Sequence, residues 1–280
     1  MTATAENAGL PLTRFAAAVA NGGFYPDPGD PANRGGYRGM LFCAVGSEDE
    51  ALFAGLTKIP LPMVLVMTPI IQSLPAAAAQ DAAVHWLQPR AQGMDDLAAE
   101  RVIVDYLESS AIRERVAGHQ GASQVHAALL RLHQMAASGR LPGQGEWRAV
   151  RKEATALLRG LEEHDAKVLS YLGTAAWPVT SAPEVIRDLL NDEAEARAAM
   201  AGRDRNLRLP TGADWDTFRT QIDELKASGK SKEEAFAVID SVLHDRHPDV
   251  WERLTASNAL GRETRGHAAQ FMRALLDRQF

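Results

Sequence analysis

From Met94 onward, apolar residues recur at three- and four-residue intervals, the spacing of one helix face, with no alternating strand pattern. Across 95–117 the set Leu97, Val102, Val104, Leu107, Ile112 and Val116 keeps this spacing, and Gly118 and Gly121 mark a stop. A second helix is predicted over 123–137, with Val125, Leu129, Leu132 and Met135 on one face and Gly139 just beyond. The third and longest is predicted over 146–172; its interior Gly160 costs about 1 kcal/mol relative to Ala and marks a kink or a close packing contact. Ser181-Ala-Pro-Glu184 combines a capping serine, an early proline and a glutamate at capping-box spacing, so a helix is predicted from there to about Met200, with Gly202 as its stop. After a linker at 203–213, helices are predicted near 214–227, 232–245, 249–257 and 262–278, the second opened by a Ser231–Glu234 capping box. No fixed-period repeat accompanies them, which excludes a solenoid.

The first hundred residues follow another pattern. Residues 59–80, IPLPMVLVMTPIIQSLPAAAAQ, form a charge-free run of 22 residues broken by Pro60, Pro62, Pro69 and Pro75. Its length is about that of a bilayer span, but the prolines and uneven hydropathy argue for a buried core segment instead. Met40–Val45, ended by Gly46, and Met63–Met67 are short apolar stretches expected as two buried strands joined through a helix, with helix throughout as the alternative. Ser47 and Glu50 have capping-box spacing for the intervening helix, and Pro75 followed by AAAAQDAAVHWLQ predicts another that stops by Pro89. Residues 21–39 concentrate Gly, Pro, Asn and Asp, the composition of consecutive turns. The expected fold is therefore mainly α, a multi-helix array with a small N-terminal α/β or irregular unit holding at most two or three short strands. Its expected division is an arm and loop at 1–39, an apolar unit at 40–93, a helical bundle at 94–202 and a short-helix subdomain at 203–280.

Composition narrows the function classes. With 280 residues, 46% hydrophobic and 24% charged, the chain is predicted to be soluble and long enough for one large or two medium cores. The net charge of −6 argues against nucleic acid as a partner, because affinity for phosphate backbones comes mainly from Lys and Arg. A single cysteine, Cys43, allows no intrachain disulfide, and the start MTATAENAGLPLTRF lacks the basic and apolar regions of a signal peptide, so a cytoplasmic location is expected.

The chemistry-bearing residues carry no complete signature. His119, His126 and His133 recur every seven residues; on one helix that places His126 and His133 on a shared face about 10 Å apart, too far for one metal ion and better suited to a polar seam. Glu162-Glu163-His164-Asp165 reads as a solvated face, and His244-Asp245-Arg246-His247 as a helix C-terminus. Cys43 lies among Leu41, Phe42, Ala44 and Val45, surroundings that raise a thiol pKa, so a nucleophilic role is not expected. Arg34-Gly-Gly-Tyr-Arg-Gly39 completes no phosphate-binding motif, Asp27 and Asp30 no calcium loop, and Asp95, Asp96 and Glu100 read as first-turn helix acids. Trp86, Trp147, Trp177, Trp215 and Trp251 are dispersed and are expected in cores. No HExxH, CxxC, GxSxG or kinase signature occurs. In general composition the final 70 residues, short capped helices separated by Gly or Pro, resemble bacterial and phage accessory proteins, and no residue role follows from that.

Two functions from different classes follow. The first is a noncatalytic helical protein-interaction factor, an inhibitor, immunity or assembly protein, contacting a protein partner through Phe24, Tyr25, Tyr37 and Arg38, with no cofactor, no metal and no membrane contact. The second is an enzyme of unassigned reaction class whose pocket forms between helices, with His85, His126, His133 and His164 as the acid/base candidates. Two imidazoles meeting each other or a carboxylate in a deep pocket would favour the enzyme; individually satisfied histidines would favour the interaction factor.

Overall fold

Residues 10–26, 38–89 and 93–280 are described by the computed structural model. Among them lie fifteen helices and no strand, with 75% of the described residues helical. In order these are α1 (Leu10–Ala20), α2 (Met40–Val45), α3 (Glu50–Thr57), α4 (Leu61–Ser73), α5 (Ala76–Trp86), α6 (Ala98–Glu108), α7 (Ser110–Ala117), α8 (Gln120–Ala137), α9 (Gln144–Arg159), α10 (Glu163–Val168), α11 (Tyr171–Thr174), α12 (Val185–Asp204), α13 (Gly212–Ala227), α14 (Lys232–Arg246) and α15 (Pro248–Asp277).

Both expected strands are helices. Met40–Val45 is α2, closed by Gly46 in the left-handed conformation at φ 80°, whose N–H donates to Phe42 O at 2.7 Å. Met63–Met67 lies inside α4, where Pro60 is the N-cap, Pro62 sits in the first turn and only Pro69 falls in the interior. Prolines at a helix start cost little, because those N–H groups have no intrahelical acceptor. Met63, Val64, Val66, Met67, Ile70 and Ile71 are all buried, so α4 is apolar on nearly every side, which removes the periodicity that separates a core helix from a buried strand. Within the segment expected as an irregular arm, Leu10–Ala20 is helical, anchored by buried Pro11 and Phe15.

Among the described residues no single helix is long and apolar enough to cross a membrane; α3 and α4 meet the length and composition only as a pair, and that pair is bent by 114°. At their junction Lys58 is left-handed, and Met94 N–H donates to its carbonyl at 3.2 Å. Gly93, at φ +73°, lets that connection pass, since an added Cβ would stand 3.0 Å from Lys58 Cβ.

The chain divides into two compact units, Met1–Ala196 with Arg265–Phe280, and Arg197–Thr264. In the first, α6 packs along α8, α8 also contacts α7, α9 and α11, and α2, α3 and α5 contact the apolar α4. Trp86 Nε1 donates to Asp277 Oδ1 at 2.7 Å and Arg273 Nη1 to Ala78 O at 3.1 Å, tying α5 to the end of α15. The second unit has its own small core of Ile222, Ala235, Ile239, Leu243 and Leu254. There a Thr211–Asp214 capping box opens α13, and Arg253 with the Thr211 amide holds the Asp214 carboxyl well below the usual carboxylate range.

Candidate functional site

The heptad spacing of the histidines on α8 directs His126 and His133 inward, where both are buried. His126 Nδ1 is 3.1 Å from Tyr171 Oη; burial, then the charge of Arg113, lowers the pKa of this imidazole. His133 Nδ1 lies 2.7 Å from Glu100 Oε2, while its Nε2 lies 2.8 Å from Ala175 O. A carbonyl can only accept, so Nε2 carries a hydrogen; the short Nδ1–carboxylate contact holds one more proton between the two groups. Wherever that proton sits, the His133–Glu100 pair has no net charge.

Beside it runs a second buried polar group. Arg115 on α7 pairs with Glu193 on α12 through both guanidinium nitrogens, at 2.7 and 2.9 Å, and Tyr106 Oη donates to Glu193 at 3.3 Å. Tyr106 packs edge-on against Tyr171, with ring centres 5.8 Å apart, which continues the seam to His126. Burial pushes the pKa of both phenols up. Breaking such a pair by removing one partner costs several kcal/mol, since it strands a charge away from water.

The His133–Glu100 pair sits behind a groove. Trp147 on α9 meets the His133 ring edge-on at 4.9 Å, and Trp147 and Glu100 both line an open groove of about 330 Å³. Its rim is Leu141, Arg148, Arg151, Trp177 and the turn at 178–181. Leu141 is 80% exposed and Trp177 43%. The Arg151 guanidinium carbon stands 3.3 Å from the centre of the Trp177 ring, and Nη2 donates to Ala176 O at 3.2 Å. Its Nε is buried without an acceptor, and burial, then the neighbouring Arg148 charge, lowers its pKa. Among the described residues neither Arg148 nor Arg151 is ion-paired to a carboxylate. On its other side Trp177 borders a second cleft of about 310 Å³, whose charged lining residues are Glu184 and Asp188.

The remaining sequence candidates lie apart from this site. His85 is exposed near Phe280, with ring centres 6.1 Å apart, and His164 is half-buried on α10. Phe24 packs edge-on against Phe15 at 4.9 Å and is partly buried against the core, so it supports the fold as well as facing outward. Tyr25 is half-buried and its N–H donates to Arg38 O at 3.3 Å; Arg38 is exposed, its guanidinium 5.7 Å from the Phe42 ring centre. Tyr37 lies outside the described residues. Cys43 is buried, its thiol directed at Gly23 O and Arg38 O, and burial pushes its pKa up to about 11. Among the described residues no three His, Cys, Asp or Glu side chains converge to hold a metal ion.

Sequence reasoning missed Arg148, Arg151 and the role of Glu100. One signal was present for Glu100: it shares the i, i+3, i+7 face of Ile103 and Leu107, so a carboxylate stands on an apolar stripe. Comparison with family models, curated proteins and solved structures finds no match to this chain.

Proposed function

We propose that this chain is a noncatalytic helical interaction protein that receives a protein partner at the groove of Leu141, Arg148, Arg151 and Trp177. The observation that carries this is an exposed tryptophan stacked on an arginine that has no carboxylate partner among the described residues, next to a leucine left in water. Tryptophan and arginine dominate binding hot spots, where a flat apolar surface and a multidentate donor act together. The enzyme alternative finds less support, because His126 and His133 are each engaged by internal partners and neither ring nitrogen of His133 is left to face the groove. Tyr25 and Arg38 are proposed as a second, smaller contact. A reducing cytoplasm suits the one thiol, which packs against backbone carbonyls.

The test is to recover the partner by crosslinking to the full chain, purify it and titrate it against wild type and Trp177→Ala. Loss of about 2 kcal/mol, roughly thirtyfold in Kd, is expected from a hot-spot truncation, with the helical circular dichroism unchanged. A partner that binds the variant with wild-type affinity, or no saturable partner at all, would overturn the proposal.

A further inference from the structure

We infer that the groove takes an acidic peptide segment, with a carboxylate within one or two residues of a large apolar side chain. This rests on the reading of the chain as an interaction protein and adds the chemistry of what it binds. Charge comes first. Arg148 and Arg151 are three residues apart on α9, hence on the same side of the helix, and among the described residues neither has an ion-paired carboxylate. Each raises the energy of the other's charge, and after burial the Arg148 charge helps to lower the Arg151 pKa. A bound carboxylate would relieve that repulsion, and a guanidinium fork matches it with two parallel hydrogen bonds.

The floor does not oppose an anion. Among the described residues Glu100 is the one acidic residue in the lining, and its charge is balanced by the proton it shares with His133, so the groove is positive in a chain whose net charge is −6. A basic segment would meet two guanidinium groups and no free carboxylate. An extended polyanion would meet the negative remainder of the chain, which leaves a short acidic segment as the complementary partner. The apolar half of the ligand is set by Trp147 in the floor and by Trp177 and Leu141 on the rim, surfaces that a leucine or aromatic side chain covers.

The rival occupant is a second copy of this chain, because the cleft across Trp177 carries Glu184 and Asp188 and could supply the acid. The experiment separates the two. A phage-displayed random peptide library is selected on the full chain, and enriched sequences are synthesised and titrated by fluorescence polarisation against wild type, R148E/R151E and R148Q/R151Q. The expected result is enrichment of Asp or Glu beside Leu, Phe, Tyr or Trp. Affinity should fall at least about tenfold in both variants and severalfold between 50 and 300 mM salt, as screening of a surface charge contact requires. The neutral glutamine pair keeps the test valid if the charge reversal unfolds the chain. Basic or charge-free enriched sequences, no enrichment, or unchanged affinity in the glutamine variant would overturn the acidic-peptide assignment. So would a concentration-dependent dimer in sedimentation velocity that the arginine variants dissolve, which would assign the groove to a second copy. A natural partner that binds through Trp177 but carries no acidic segment defeats only this chemistry. A natural partner indifferent to Trp177 defeats the interaction surface itself.

Discussion

At the scale of single residues, the two buried histidines depend on partners far away in sequence. His133 is held by Glu100, 33 residues before it, and by Ala175, 42 residues after it. Asp192 is less completely served: its Oδ2 is buried without a partner, and burial raises its pKa from 3.8 to about 6, against the pull of the Thr174 and Ser170 hydroxyls. The folded chain therefore binds this proton more tightly than the unfolded chain. The contribution to stability is full below 3.8 and is lost as pH rises through about 6, on the order of 3 kcal/mol. Asp192→Asn should thus be more stable than wild type at pH 7.5, by on the order of 1–2 kcal/mol, with the advantage shrinking by pH 4.5. Urea unfolding at the two pH values measures it; an advantage that stays constant or grows toward acid would refute this account of Asp192.

At the scale of elements, similar cap sequences led to different outcomes. Ser231 behaves as its spacing predicts: its hydroxyl accepts from Glu234 N–H at 3.1 Å while Glu234 accepts from Ser231 N–H at 2.8 Å. Ser181 does not cap, because its hydroxyl donates back to Pro178 O at 3.3 Å, the carbonyl that also takes the N–H groups of Ser181 and Ala182 in a turn, and α12 begins only at Val185. Ser231→Ala is expected to cost about 1 kcal/mol and Ser181→Ala less than about 0.5 kcal/mol, both read from denaturant midpoints. Equal costs would contradict the assignment of the two hydroxyls. The helix expected at 146–172 is three, and Gly160, expected as an interior kink or packing contact, follows the end of α9 at Arg159; Gly261 lies inside α15, and the two helices expected at 249–257 and 262–278 are one of 30 residues. The predicted helix at 95–117 is two, divided at Ser109, whose hydroxyl accepts from Ile112 N–H and donates to Tyr106 O.

At the scale of the molecule, the two units differ in how much apolar surface each keeps from water. The first has a continuous core reaching from Phe15 to Leu276; the second relies on a buried cluster of five apolar residues, on buried Leu260, and on the Asp214–Arg253 and Arg205–Glu263 pairs. Local opening free energy follows buried apolar contact, so amides of α14 should exchange with deuterium well before those of α4 under native conditions. Hydrogen-exchange mass spectrometry reads both in one experiment, and equal protection would show that the small core is not the weaker one.

The sequence by itself determined that the chain is helical, where most of the helices after residue 94 lie, and that His126 and His133 share a face, because all three follow from local spacing and propensity. It left Met40–Val45 and Met63–Met67 open between strand and helix, since a segment buried on all sides has no polar face to set its period. Only the tertiary structure decided that Glu100 meets His133, that Arg115 meets Glu193, and that Arg148 and Arg151 stand beside Trp177 with no ion-paired carboxylate among the described residues. Those outcomes depend on which helices pack together, and local periodicity does not encode the pairing of elements distant along the chain.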